Sequence, residues 1–328
     1  MAEYKGIRGF KVQSLASDPT LVEGQVWYNT TGNVLKYQGL AAGAWSSSNT
    51  INQTRSRAGG LGIQTAGLIT GGSTGAPWVF YQDTETYDGT SWTQVNDLNT
   101  ARALMNGCGT QTTGLVAGGF SYDLSPNYSA LTEKYDGTSW SEAADLTTPR
   151  SKNGGNGTQT AAFNAGGEGV PGGATGVSEE WDGTSWSEGN DLNTTRGNTR
   201  GSGTQTNGLT ISGDGGGIGK CEAYDGTCWS AVADLGTARY AGGCPSQAAS
   251  ASLFFAGRPP TSGTALTEAY DGTSWSEVAD QATATTRPAF FGTNTLAVRA
   301  GGSTSPSATT NTSEEWTRAL AVKTVTVS

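Results

Sequence analysis

One hexapeptide recurs along the chain. Tyr-Asp-Gly-Thr-Ser-Trp stands at Tyr87–Trp92, Tyr135–Trp140 and Tyr270–Trp275, with close variants at Trp181–Trp186 and Tyr224–Trp229. Its opening aromatics fall at 87, 135, 181, 224 and 270, and Trp316 continues the series without the Asp-Gly turn that follows the others. The steps lie between 43 and 48 residues. A period of that length is the mark of an array of small supersecondary units, none of which can bury both of its faces alone.

The rest of each unit repeats as well. Upstream of the aromatic comes a Thr-Gln-Thr type turn and an apolar run into a Gly doublet, as at residues 63–72, 110–119 and 158–167. Looser versions follow at 204–213, 246–257 and 293–302. Each unit reads as four short strands, a to d. Strand a runs to the turn, b into the doublet, c to the opening aromatic, and d starts at the Trp. Four-stranded units at this period predict an all-β fold, a six-bladed β-propeller over residues 51–328. The hexapeptide supplies its c–d turn: Asp-Gly accommodates positive φ, and the aromatics fill the space between sheets. The structural aromatics are then Tyr87, Trp92, Tyr135, Trp140, Trp181, Trp186, Tyr224, Trp229, Tyr270, Trp275 and Trp316.

The order Gly-Gly, Tyr, Trp resembles the kelch repeat, over about residues 51–316, and implies a kelch-like propeller. Departures stand at Ser212-Gly213, at Ala256-Gly257 and after Trp316, where no hexapeptide Trp follows. Residues 1–50 are different. Residues 23–45 read as a β-hairpin around Asn29-Thr30-Thr31-Gly32-Asn33. The Gly-Gln-Val-Trp-Tyr-Asn-Thr start, then Lys36-Tyr37 and a closing Trp45, resembles a short module near the ends of tailed-phage virion proteins. Gly-rich propellers of this type also resemble structural proteins of marine tailed phages. The resemblance implies a non-enzymatic virion component in a decoration, fibre or tail. It would be assembled in the host cytoplasm, present in several copies, and in contact with other virion proteins or host surface glycans. The N-terminal module would attach or oligomerise it.

Two segments compete to supply strand d of the sixth unit. One is the tail at 319–328, the other the stretch around Tyr37 and Trp45. The tail, which follows Trp316 directly, is the expected donor.

Composition narrows the chemistry. The net charge is −9 and no basic stripe exists, which argues against nucleic acid. No run approaches 18 apolar residues and the first 19 lack an apolar h-region, so neither membrane nor secretion is expected. Histidine is absent, which removes the commonest base and metal ligand, so neither metal nor cofactor is expected. The sialidase-type Asp box, the signature of an alternative glycan-active enzyme, places Trp five residues after Asp. Here Trp92 follows Asp88 by four. Cys108, Cys221, Cys228 and Cys244 form no C-x-x-C pair and are expected as thiols.

No catalytic residue is expected. Arg57, Arg102, Arg150, Arg196, Arg239 and Arg287 open the units, as an anion-binding ring or as the cationic half of loop clamps with Asp97, Asp145, Asp191 and Asp234. The clamp is the simpler expectation. The b–c loops vary most, and strand alternation puts them on the arginine face. The first two are the longest and carry Trp78, Phe80, Tyr81, Phe120, Tyr122 and Tyr128, the candidate binding residues.

Overall fold

Runs of β-branched, aromatic and small residues, each soon interrupted by Gly or Asp-Gly, favour strands and tight turns over helices. Every regular element among the described residues is a β-strand. The computed structural model describes residues 12–20, 22, 24–215, 218–245, 248–259, 262–305 and 308–325. The Gln247 turn and parts of the loops at 214–219, 258–265 and 303–311 therefore lie outside the described residues, as does the end of the tail.

Two compact units are present. One comprises the chain up to Gly43 together with the segment from Arg318, the other Ala44–Thr317. In the first, the expected hairpin joins Val26–Asn29 to Val34–Leu40. Asn29 Oδ1 accepts the Gly32 N–H at 2.7 Å, which closes the turn. Gln13–Leu15 pairs in parallel with the first hairpin strand, and Leu320–Thr324 pairs antiparallel with the second. Trp27 is fully buried there.

Among the described residues the larger unit holds six antiparallel sheets of three or four strands, taken here in chain order, and two short two-stranded pairings, Arg150–Ser151 with Glu168–Gly169 and Ser303–Ser305 with Ala308–Thr309. Sheet one comprises Gly59–Ile63, Ala66–Thr70, Thr84–Tyr87 and Trp92–Val95. Sheets two, three and four repeat this order with strands that begin at Asn106, Gly154 and Arg200. Sheet five has three strands, Leu253–Phe255, Thr267–Tyr270 and Trp275–Val278. Among the described residues its strand a is reduced to a bridge between Gly243 and Phe255. Pro245 lies beside that bridge and has no N–H to extend a ladder.

Sheet six corrects the expected donor of its last strand. It consists of Ala289–Gly292, Leu296–Ala300, Ser313–Thr317 and Ala44–Ser48. Trp45 stands opposite Trp316, just as Trp92 stands opposite Tyr87 and Trp140 opposite Tyr135. The Trp45 side chain thus replaces the missing hexapeptide Trp, and its ring packs T-shaped against Phe255 of sheet five, with centroids 4.9 Å apart. The tail pairs with the terminal sheet instead. An aromatic that fills the space between sheets outweighs sequence adjacency. About 200 Å² of buried ring at roughly 25 cal/mol per Å² contributes on the order of 5 kcal/mol before ordering entropy.

Apolar clusters join neighbouring sheets. Leu61, Met105 and Tyr135 join sheets one and two, Phe163 and Trp229 sheets three and four, and Phe255 and Trp316 sheets five and six. Ala58, Ile69, Tyr87 and Phe291 join sheet six back to sheet one. The Thr-Gln-Thr glutamines add a polar staple. Gln111 Nε2 donates to the Gly67 and Tyr87 carbonyls of the preceding sheet at 3.0 Å each. Gln64 reaches Ala297 and Trp316 of sheet six in the same way, at 3.3 and 3.0 Å.

The hexapeptide behaves as expected. Asp88 Oδ1 accepts the N–H groups of Thr90 and Ser91 at 2.8 and 2.7 Å, and Gly89 has φ of 93°. Among the opening aromatics Tyr87, Tyr135, Trp181 and Trp316 are at most 1% exposed. The departures from Gly-Gly are also accommodated. Gly71 has φ of 63°, and a Cβ there would lie 2.5 Å from the Arg102 carbonyl oxygen. Ser212 occupies the equivalent position with φ of 57° and donates its hydroxyl to the carbonyl of Arg239.

Candidate ligand-binding cavity

Two sets of residues, two positions apart along the chain, build the end of the molecule that carries the b–c loops. The first set is buried. Arg102, Arg150, Arg196 and Arg239 pair with Glu133, Glu179, Glu222 and Glu268 of strand c in their own sheets. Arg55 pairs with Glu85 in sheet one, and Arg299, from strand b, pairs with Glu314 in sheet six at 2.5 Å. Each carboxylate also accepts a backbone N–H from the loop that enters its sheet, such as Asn99 at 2.8 Å on Glu133 and Gly236 at 2.7 Å on Glu268. Burial pulls the guanidinium pKa of Arg150 and Arg239 down, and the partner glutamate opposes that shift. The pairs lock the loops; their desolvation cost is large, and they offer no free charge to a ligand.

This arrangement corrects the expected Asp–Arg clamp. The partner is glutamate, two residues before every opening aromatic. Asp97 and Asp145 instead accept the backbone N–H of Thr84 and Thr132, both at 3.2 Å. Nor do six equivalent arginines open the units. Arg57 and Arg287 stand two residues beyond the clamp position, which Arg55 fills in sheet one and Thr285 in sheet six.

The second set is Arg57, Leu104, Lys152, Asn198, Ala241 and Arg287, all in the left-handed region with φ between 49° and 63°. Such a backbone costs a non-glycine residue roughly 1–2 kcal/mol. Hydrogen bonds between sheets hold it. The N–H of Leu104 donates to Arg57, that of Lys152 to Leu104, that of Arg287 to Ala241 and that of Arg57 to Arg287, at 2.7 to 2.8 Å. Ala241 donates to Asn198, and Thr199 to Lys152, both at 3.3 Å. The circuit closes through all six sheets. Because each link is backbone, its side chains are free to vary, and they do.

Four of those side chains, Arg57, Leu104, Lys152 and Arg287, line a cavity of about 630 Å³. The first two b–c loops form an aromatic wall of Trp78, Phe80, Phe120, Tyr122 and Tyr128. Phe120 anchors it, with ring centroids 5.1 Å from Tyr122, 5.5 Å from Tyr128 and 6.0 Å from Phe80. Trp78 and Tyr122 remain 41% and 58% exposed, so the loops pack partly on themselves and still present two faces to solvent. Tyr81 departs from this group: it does not line the cavity, and its hydroxyl accepts from Gln53 at 2.9 Å.

Arg57 lies over the Trp78 ring at 4.4 Å and donates to Ser56 Oγ at 2.6 Å. Burial, with Arg287 nearby, brings the Arg57 pKa down to about 10. Arg287 is lowered by burial too, and Arg258 adds to the effect. Lys152 is paired with Glu168 at 2.6 Å. Cys108 and Cys221 are unbridged and buried, Cys228 is unbridged and exposed, and burial pushes the Cys108 and Cys221 thiols up to about 12. Among the described residues no group of three or more His, Cys, Asp or Glu is placed to hold a metal ion.

These features define an all-β protein of repeated small antiparallel sheets with a cavity on its loop-bearing end. Solved structures share the fold. One described as the structure of YjhT superposes with a TM-score of 0.68 at 11% identity, over 83% of this chain and 99% of its own. No protein-family model and no curated protein matches the sequence.

Proposed function

We propose that Ala44–Thr317 is a six-bladed kelch-like β-propeller that displays a binding cavity and performs no catalysis. In this reading the chain is a structural protein of a tailed-phage virion, in a decoration, fibre or tail, where its cavity meets host surface glycans. The smaller unit, with the hairpin that resembles a virion module, attaches the chain to other virion proteins or to further copies of itself.

The aromatic wall carries this reading. Exposed Trp78 and Tyr122, on loops of adjacent sheets and above a hydrogen-bonded backbone circuit, offer flat apolar faces at fixed positions. Such faces suit the C–H faces of sugar rings, and a rigid scaffold keeps the ordering cost of binding low. Hydrolysis by a carboxylate pair needs two acids that flank one bond. Glu168 is the single carboxylate in the lining among the described residues, and Lys152 holds it.

Incubation of the purified protein with host surface polysaccharide tests the proposal. Retention on the polysaccharide with no new reducing ends is expected, with binding reduced at least tenfold by Trp78→Ala with Tyr122→Ala. Release of oligosaccharides would establish the enzyme instead.

A further inference from the structure

The charge of the cavity is opposite to that of the chain. The protein carries a net −9, yet Arg57, Lys152, Arg258 and Arg287 line the cavity against Glu168 alone. Among the described residues Lys152 has an acidic partner, whereas no ion pair engages Arg57, Arg258 or Arg287. This is unlike the arginines two positions earlier, where Arg102, Arg150, Arg196 and Arg239 each meet a glutamate.

The unpaired arginines also oppose one another. Arg57 and Arg287 are joined through the backbone, and Arg258 acts on Arg287 from the next loop. Arg200 lies below, held by the Gly242 carbonyl at 2.7 Å, and its pKa falls to about 10 through burial and Arg287. Tyr240, Asp214 and Glu168 offset part of this charge through space. Gathering partly desolvated like charges costs stability, and a fold retains such a cluster where an anion repays the cost. Ser303 adds a second sign. It lines the cavity, is 4% exposed, and its hydroxyl has no hydrogen-bond partner among the described residues.

We infer that the cavity binds an anionic sugar residue, with a carboxylate or sulfate held by Arg57, Arg258 and Arg287 and the sugar ring against Trp78 and Tyr122. The inference rests on the glycan-binding reading above and names the class of glycan. Guanidinium groups form paired, charge-assisted hydrogen bonds to either oxyanion. Arg57 is already fixed over Trp78, so one side chain braces the anion subsite and the aromatic face together.

The test is calorimetric titration of the full chain with oligogalacturonate, a sulfated oligosaccharide, neutral dextran oligomers and inorganic sulfate. At least one anionic oligomer should bind tenfold or more tighter than dextran. Arg258→Gln and Arg287→Gln should each weaken it by about tenfold or more, the scale of one charge-assisted bond. Lys220→Gln, which removes an exposed cation paired with Asp234 outside the lining, should leave affinity unchanged. Melting curves of the arginine variants should show no loss, since each relieves repulsion, so weakened binding is not a folding defect. If dextran binds as tightly as the anionic oligomers and the arginine variants bind normally, the anion inference fails while glycan binding stands. No binding by any saccharide overturns both. Sulfate alone competing as well as an oligomer would mean an ion site that does not read sugar, and the inference would fall.

Discussion

Arg102 and Leu104 stand two residues apart and belong to two different circuits. The first belongs to a buried position that repeats in five sheets and always meets glutamate. The second belongs to a left-handed position held by backbone alone, occupied by arginine, leucine, lysine, asparagine, alanine and arginine in turn. Where a side chain closes the structure, the repeat preserves it. Where the backbone closes the structure, the side chain is released for another use. In this molecule repetition marks architecture, and its absence marks the cavity lining, which is the surface we propose for a ligand.

Breaking a clamp gives the largest expected effect. Glu133→Ala strands Arg102 in the interior and should cost about 3–5 kcal/mol, read as a lowered midpoint in chemical denaturation. Replacing Arg102 and Glu133 together by Met and Leu should cost much less, because no charge is left unpaired. A single-variant loss no larger than that of the double variant would remove the clamp from the account.

Next comes the strand that closes sheet six. A fragment of residues 44–317 should fold, while one of residues 49–317 should melt at a lower temperature and aggregate through the exposed edge of Ser313–Thr317. Within the intact chain, Trp45→Ala should cost on the order of 2–4 kcal/mol, somewhat under a fully buried Trp because part of the ring stays exposed. Equal stability of the two fragments would return that role to another segment.

The hexapeptide turns should produce a smaller, pH-dependent effect. In Asp88, Asp136, Asp182, Asp225 and Asp271, backbone N–H donors hold the carboxylate below its ordinary 3.8. A folded-state pKa below the unfolded one adds stability above the unfolded value, and that stability is lost as pH falls through the folded value. The melting temperature should therefore drop below about pH 4, and the gap between Asp136→Asn and the native chain should narrow there. A gap that is constant from pH 7 to pH 3 would detach these carboxylates from the acid response. Smallest of all, Cys228→Ser restores the repeat at an exposed turn and should change stability by less than about 0.5 kcal/mol.

Much of the architecture was legible because it repeats. Period, strand order, the Asp-Gly turns and the buried Tyr–Trp pairs all follow from the hexapeptide and the Gly doublet. The glutamate two residues before each opening aromatic was equally visible. Its pairing is masked because Asp97 and its counterparts lie nearer to the arginines in sequence, while the true partner comes from strand c by a longer path. The stretch that holds strand Ala44–Ser48 was legible as one of two competing donors, and it ranked second for the related reason that the tail is adjacent to Trp316 and also alternates. The aromatic wall was legible from Trp78, Phe80, Phe120, Tyr122 and Tyr128, whereas Tyr81, in the irregular stretch before Thr84, lies outside the cavity lining and its hydroxyl accepts from Gln53. The left-handed circuit was not legible, since its residues share a backbone conformation and no side-chain chemistry. Arg57 and Arg287 consequently looked like members of the clamp series.

Thermal melting of Arg287→Gln beside Arg102→Gln tests the division between the two circuits most directly. The account predicts that Arg287→Gln melts at or above the native temperature, and that Arg102→Gln, which leaves Glu133 buried without its cation, melts on the order of 10 °C lower. Equal losses in the two variants would contradict it.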